Sequence, residues 1–539
     1  MVLRALGWVI ALSVLVWLLV DQIELVGNFR VDDAYISYSF AKNLGSGHGL
    51  VFSHGLRVEG YSNFLWVVLV GLGYAVHSMA DPYVWARILT FAFLAAAALF
   101  TYLQARRFAS PWASLLAVGL LLGGTDAVTA ALSGLETVPY MAAVCFGWWV
   151  YLSEDPRARR WSLWAFLPAA LMRIDGFLWL LVVGGFEVAS SVVGRRFSLV
   201  RLLRWAAAPI LVWVAYFCWR YWYYGLLLPS TYYAKTLVNL GDPDRSYRQI
   251  WDFLREYGAL GLLPLMTVPL LRGPRRDALA LWLAVLAQLS YVAMVGGDWM
   301  PFNRFFLPIV PLAFILSAWG VQQVWREAGH WPPELRYLLR IAALAAVGFA
   351  GLNENARSID TPPEASKRGT AEQVKVHTLD NLLDSKDLMA RVIRHPGDKL
   401  VTDYAGVFGV FTDAEVIDQW GLCNADIALH GGTRGINPIY GKECASCYAR
   451  IQPDYFHVTI PLVRSLRAFG SKAQVLNAVF QGPAIDRVID IRHNFVVGRV
   501  VDEASNRALW FLERRRSGES FEIRRPEPGI RIDYPFLTH

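Results

Sequence analysis

The sequence predicts a polytopic α-helical membrane protein that ends in a mixed α/β soluble domain, and three observations carry this. Hydrophobic residues make up 55% of the 539 and charged ones only 18%, a balance that an ordinary water-soluble chain of this length does not tolerate. Membrane-length apolar runs recur as far as Leu352; regular charges and prolines return beyond it. Residues 1–352 are therefore expected to form the membrane domain and 353–539 a soluble one. The net charge of +7 divides at the same point, because 353–539 holds 24 basic and 24 acidic side chains and the whole excess lies before it. Basic loops held at the cytoplasmic face explain that excess, so no nucleic-acid partner is implied.

Eleven spans are expected, near 2–20, 87–104, 112–128, 137–152, 161–172, 176–192, 205–222, 258–271, 279–296, 305–324 and 337–352. Arg4 precedes the first, and no small-residue cleavage site precedes Asp21, the pattern of an uncleaved signal anchor with a cytoplasmic amino terminus. An odd number of crossings then puts the carboxyl domain outside. The basic clusters agree: Arg106-Arg107, Arg157 with Arg159-Arg160, Arg195 to Arg204, Arg272 to Arg276 and Arg326 to Arg340 all fall in cytoplasmic connections.

Within the first outer loop, 21–86, the apolar stretch Asn63 to Met79 is shorter than the ~20 residues a span needs and reads as a helix at the outer interface. Trp161 to Met172 is also short, and Arg173-Ile174-Asp175-Gly176 breaks it from the next run. A charged break must face protein or water, so both pieces are expected to line an outward cavity. The soluble domain should alternate strands (Lys399 to Thr402, Glu415 to Ile417, Tyr455 to Ile460, Phe495 to Val501) with helices (Thr370 to Arg394, Pro461 to Phe469).

Candidate chemistry gathers at the outer ends of the spans. Asp32 and Asp33 follow the first span directly; adjacent acids suit a base, since one raises the pKa of the other, and either can ligate a hard cation. The competing reading is that one of them caps a helix over Ala34 to Leu44. Glu136, Arg173, Asp175, Lys235, Asp298 and Arg304 sit at the same depth. Arg173, Lys235 and Arg304 have the chemistry to hold a phosphate, or else snorkel toward headgroups and pair with Asp175 and Asp298. Tyr232 and Tyr233 with the run Trp219 to Tyr224 could stack on a sugar or a prenyl chain, or form an interfacial belt. Cys145 and Cys218 lie in apolar spans. Cys444-Ala445-Ser446-Cys447 fits a redox pair, half a zinc site or a disulfide, and Cys423 leaves the pairing open. No HExxH, Walker loop, Rossmann fingerprint or GxSxG elbow occurs.

Taken together, Asp32-Asp33-Ala34-Tyr35-Ile36-Ser37, Val58-Glu59-Gly60-Tyr61-Ser62-Asn63, Ser133-Gly134-Leu135-Glu136-Thr137, Leu228 to Lys235 and Gly297 to Pro301 before Arg304-Phe305 resemble the GT-C membrane glycosyltransferases. The likeness is to the branch of actinobacterial terminal arabinofuranosyltransferases and related bacterial proteins. The family's Arg-Pro-Glu-Gly-like turn appears as Arg173-Ile174-Asp175-Gly176, departing at two positions but keeping a cation and an acid.

The resemblance implies a GT-C fold in a bacterial inner membrane with a periplasmic carboxyl domain. It also implies transfer of a sugar, D-arabinofuranose in that branch, from a polyprenyl-phosphate donor to a glycan or protein acceptor. Asp32 would then be the principal acid/base residue, with Asp33 orienting the site or holding a divalent Mg, Mn or Ca ion. Glu59, Tyr61, Glu136, Arg173, Asp175, Tyr232, Lys235, Asp298 and Arg304 would bind substrate. The alternative is a transporter of lipid or lipid-linked sugar without catalysis. Transporters place ionisable groups near the midplane and often carry repeats, which this sequence does not.

Overall fold

The structure, a computed structural model, describes residues 2–27, 29–76, 81–239, 243–257, 259–272, 275–298, 300, 302–330, 332–343, 345, 380–433, 442–457, 471, 494–503, 507–516 and 521–535. The membrane half is helical. Its first part runs α1 (Val2–Val26), α2 (Asp32–Gly45), α3 (Phe64–Val76), α4 (Pro82–Ala105), α5 (Pro111–Leu122), α6 (Thr125–Leu132), α7 (Thr137–Tyr151), α8 (Pro156–Arg159) and α9 (Ser162–Met172). Then follow α10 (Phe177–Val193), α11 (Leu199–Tyr224), α12 (Ser230–Asn239), α13 (Pro243–Glu256), α14 (Ala259–Arg272), α15 (Arg275–Val295) and α16 (Val310–Glu327).

Helices occur at each of the first ten expected spans, but not all are long enough to cross alone. Among the described residues six are, and a seventh results if α5 and α6, bent by 54°, count as one. The bend follows Gly123-Gly124, where helix propensity is lowest. Of the expected span 337–352, residues 337–343 are helical and most of the remainder lies outside the described residues.

Apolar composition is turned outward where lipid is the neighbour. Along α11 the buried side chains are Pro209, Arg220 and Tyr224, and Leu211 is 65% exposed. By contrast α16 is buried along most of its length and forms the centre of the bundle. As expected, α3 is too short to cross; it packs on α2 in the segment between α1 and α4.

The carboxyl-terminal unit is a seven-stranded mixed sheet. Its strands are β1 (Lys399–Thr402), β2 (Glu415–Asp418), β5 (Tyr455–His457), β6 (Phe495–Asp502), β7 (Arg507–Arg514), β8 (Arg524–Glu527) and β9 (Ile530–Asp533), and a separate pair joins β3 (Gly432–Thr433) to β4 (Lys442–Glu443). In the order β2-β1-β5-β7-β6-β9-β8, β1 is parallel to β2 and β5, and the other pairs are antiparallel.

Four helices accompany the sheet: α17 (Asp380–Val392), α18 (Ala405–Phe411), α19 (Ala425–His430) and α20 (Ala445–Ile451). The four expected strands are present within a residue or two of their described ends. The expected helix 461–469 and residues 370–379 lie outside the described residues. Five strands, the pair β3 and β4 and the sheet strands β7, β8 and β9, are additional to those expected from the sequence.

Two connections fix this unit to the segment between α1 and α4. Helix α2 packs along α18, where Lys42 Nζ donates to the Val410 carbonyl at 2.7 Å and Ser39 Oγ to the Gly409 carbonyl at 3.2 Å. Ser53 Oγ donates to the Ala414 carbonyl at 2.9 Å and accepts from Val416 N–H at 3.0 Å, continuing the seam to β2. Gly406 is required at this contact, because a Cβ there would overlap the Asp32 carbonyl. Cys444 pairs with Cys447 in a disulfide, and Cys423 is a free, buried thiol.

Candidate active site

A cavity of about 610 Å³ opens where α2, the start of α7, the α9–α10 break, α12 and the α15–α16 connection converge, and Leu422 from the carboxyl-terminal unit closes it on one side. One wall is apolar, with Phe177, Leu178, Leu181, Leu228, Met294 and Val295; the other carries the charges. Asp33, Tyr61, Glu136, Arg173, Asp175, Tyr232, Lys235, Asp298 and Arg304 all line it. The break after α9 is therefore a cavity wall, as its charge required.

The charges are arranged as buried pairs. Arg173 Nη1 meets Glu136 Oε1 and its Nε meets Asp175 Oδ1, both at 2.8 Å. Arg304 grips Asp298 with two nitrogens, Nε at 2.7 Å and Nη2 at 3.0 Å, the geometry a planar guanidinium favours. Asn63 Nδ2 donates to Glu136 Oε2 at 2.8 Å and to Ser37 Oγ at 3.0 Å, tying the pair to α2. Burial alone would raise the Glu136 pKa, but Arg173 and Arg304 outweigh it and hold the group below the usual carboxylate range. Asp298 is likewise pushed up by burial yet held low overall by Arg304, with Lys235 adding to the effect. Among the described residues Lys235 makes no ion pair and Asp33 makes neither an ion pair nor a hydrogen bond.

Adjacent positions on a helix point about 100° apart, and this divides the two aspartates. Asp33, Ile36 and Ser37 share the cavity face of α2. Asp32 lies on the face shared with Tyr35 and Ser39 and is turned to α18, accepting from Val407 N–H at 2.8 Å and Gly406 N–H at 3.1 Å. Asp32, expected to lead the chemistry, thus lies outside the cavity lining, its carboxylate occupied by two donors at another helix's first turn, whereas Asp33 lines the cavity. Neither acid caps α2, whose N-cap is Val31. Asp32 instead performs that role for α18, whose own N-cap, Tyr404, supplies no side-chain bond.

Burial raises Asp32 from an ordinary 3.8 to about 8, with the charges of Asp33 and Asp418 adding to it and the two N–H donors opposing it. Burial likewise pushes Asp418, which accepts from Trp420 and Cys423 N–H, up to about 7. A group whose folded pKa exceeds its unfolded value makes the folded state bind more protons in the interval between them, so its stabilisation is full at the acid end and is lost as pH rises through the folded value. The melting temperature of the purified protein, relative to that of Asp32→Asn, should accordingly fall between pH 4 and 8. A constant difference across that range would contradict the burial described.

Glu59, expected among the substrate-binding residues, is placed outside the cavity lining. Its carboxylate is buried against Arg220, with Nε 3.0 Å from both oxygens and Nη2 closing the fork. Arg220 Nη1 donates to the Leu227 carbonyl at 2.6 Å, and Ser230 N–H donates to the Glu59 carbonyl at 3.0 Å. The pair thus sets the turn leading into α12, which carries Tyr232 and Lys235. Arg220 was legible as a lone cation inside an apolar run, a position that demands a partner. Tyr61 exposes its ring to the cavity while its hydroxyl lies 2.9 Å from the Tyr224 hydroxyl.

A divalent ion at Asp33 does not fit this donor set. Glu136, Asp175 and Asp298 are each committed to arginine and Asp32 to backbone N–H groups; among the described residues no three His, Cys, Asp or Glu side chains converge. Hard cations want several oxygens at once.

No protein-family model matches the chain. Over 254 residues it is 30% identical to the terminal beta-(1->2)-arabinofuranosyltransferase of Mycobacterium tuberculosis, a stretch covering 44% of this chain and 40% of that relative's length. Two crystal structures of ArnT from Cupriavidus metallidurans are similar across 94% of this chain and 98% of theirs. The apo form has a TM-score of 0.56 at 13% identity, and the form bound to undecaprenyl phosphate 0.59 at 12%. Extending over nearly the whole of both chains, the likeness establishes a common architecture. The chain is thus a multi-pass membrane protein that shares the GT-C fold of ArnT and, over the 254 aligned residues, is similar to that arabinofuranosyltransferase.

Proposed function

We propose that the protein is a glycosyltransferase that moves a sugar from a polyprenyl-phosphate donor to a hydroxyl of a glycan or protein acceptor outside the membrane. The observation that carries this is a carboxylate, Asp33, with no ion pair or hydrogen bond among the described residues, in the same chamber as Lys235, Arg173 and Arg304 and with an apolar wall beside them. The prenyl chain would lie along Leu178, Leu181, Met294 and Leu228, and the phosphate against Lys235 and the outward N–H groups of the arginines. Membrane lipid is then both solvent and source of substrate. The partial likeness to the arabinofuranosyltransferase favours D-arabinofuranose as the sugar. We place the chamber on the outer face of a bacterial inner membrane, with the amino terminus cytoplasmic and residues 353–539 periplasmic, following the basic loops.

In this mechanism Asp33 accepts the acceptor's hydroxyl proton as the oxygen attacks the anomeric carbon. The bond from that carbon to the phosphate oxygen breaks with its electron pair passing to the phosphate, whose developing charge is met by Lys235, Arg304 and Arg173. Since the other chamber carboxylates are held by arginine, we propose one direct displacement and inversion at the anomeric centre. Asp32 acts at one remove, anchoring α18 and with it the Leu422 wall.

The test is transfer by the purified protein in liposomes containing a polyprenyl-phosphate arabinofuranose and a short arabinan acceptor, read by mass spectrometry. Product formation is the expected result. Movement of the lipid-linked sugar across the bilayer with no product would instead establish the transporter alternative. Lys235→Ala should raise the donor KM by about tenfold, the scale of one charge-assisted contact, with a smaller change in acceptor KM.

A further inference from the structure

We infer that Gln249 is a positioning residue that sets Arg304 in the chamber through the backbone of Asp298. The inference rests on the proposed function only for what Arg304 grips, a lipid-linked phosphate.

Gln249 lies on the inward side of α13 and is not among the residues lining the chamber. Its amide makes two opposed bonds to one residue: Oε1 accepts from Asp298 N–H at 2.7 Å, and Nε2 donates to the Asp298 carbonyl. A side-chain amide is suited to this, because it offers a donor and an acceptor on one plane and so holds the N–H and C=O that flank the Asp298 Cα in direction as well as distance. The preceding residue is matched to the clasp. Gly297 has φ of +79°, and a Cβ there would overlap the Gln249 amide.

The chain of contacts then continues outward. With its backbone clasped, Asp298 presents its carboxylate to Arg304, which forks onto both oxygens and lines the chamber. The helix bearing Gln249 is anchored to the same segment on either side of Arg304: Phe253 stacks on Phe306 with centroids 4.3 Å apart, and Asn303 Nδ2 donates to Glu256 Oε2 at 2.8 Å. Tyr247 and Trp251, 64% and 61% exposed, mark the opposite face of α13. The clasp and the stacking therefore grip the loop from both ends, and rigid support of this kind is what holds a binding group to a fraction of an ångström.

A positioning role predicts that Gln249 and Arg304 do not act independently. The experiment measures the dissociation constant of sugar-free undecaprenyl phosphate for the full chain in lipid nanodiscs, with Gln249→Leu, Gln249→Glu, Arg304→Ala and the two corresponding double variants. Gln249→Leu should weaken binding about tenfold, the equivalent of ~1.4 kcal/mol. Gln249→Glu keeps the acceptor but loses the donor and should fall between Gln249→Leu and wild type; it also serves if Gln249→Leu fails to fold. In the Arg304→Ala background neither change should matter beyond about twofold. Equal weakening with and without Arg304 would overturn the inference and leave Gln249 a merely structural residue, as would an unaltered constant for both Gln249 variants. If wild type bound no undecaprenyl phosphate, the functional reading itself would fall and this inference with it.

Discussion

Asp33→Asn should abolish most sugar transfer, by about 10²–10⁴-fold in kcat, the contribution of a positioned general base. The substitution keeps the size of the side chain and removes its ability to take a proton. Because Asp33 makes no ion pair or hydrogen bond among the described residues, the loss should come without destabilisation, so the melting temperature ought to stay near that of wild type. Polyprenyl-phosphate affinity should be preserved as well, since the cations that would hold it are elsewhere in the chamber. The companion variant Asp32→Asn separates the two acids. It keeps one oxygen acceptor toward Gly406 and Val407 and should lower transfer by less than Asp33→Asn, with its main effect on stability and its pH dependence. The reverse ranking in a membrane assay with defined donor would return the chemistry to Asp32.

Glu59→Ala should be among the most destabilising single changes in the chain. The Glu59 and Arg220 side chains are 2% and 3% exposed, so removing the carboxylate leaves a guanidinium stranded away from water. Breaking one partner of a buried pair costs about 3–5 kcal/mol, a large part of the margin of a typical protein. The double change Glu59→Leu with Arg220→Met should be milder than Glu59→Ala, because no charge is then left buried. Melting curves in detergent, with transfer measured on whatever folded fraction remains, check both. Loss of transfer in the folded fraction of the double variant would show that the pair also sets Lys235 through the turn before α12.

These expectations show where sequence reasoning reached and where it stopped. Long apolar runs bounded by arginines announce themselves, since few side chains other than hydrocarbon are tolerated against lipid, and α4, α10 and α15 lie close to where they were read. The charged residues at the ends of the apolar runs were legible for the same reason, because an ion beside hydrocarbon must have a cause. The second half of the sheet was not. Strand β7 has the sequence Arg-Ala-Leu-Trp-Phe-Leu-Glu-Arg, which lacks strict alternation and carries good helix formers, and its strand state comes from pairing with β6 over its whole length.

The division of labour between Asp32 and Asp33 was hidden for a different reason. It depends on the rotation of one helical turn and on backbone donors more than 370 residues later in the chain. Glu59 and Glu136 look alike in sequence, and what distinguishes them is that one meets Arg220 and the other Arg173.

The seam between α2 and α18 bears on how the protein matures. Synthesis runs from the amino terminus, so every membrane helix and every chamber charge is made before Leu422 and the helix that Asp32 anchors. During that interval one wall of the chamber is missing and α2 has no partner on its far face. The chamber should therefore be completed abruptly, with the docking of the last third of the polypeptide.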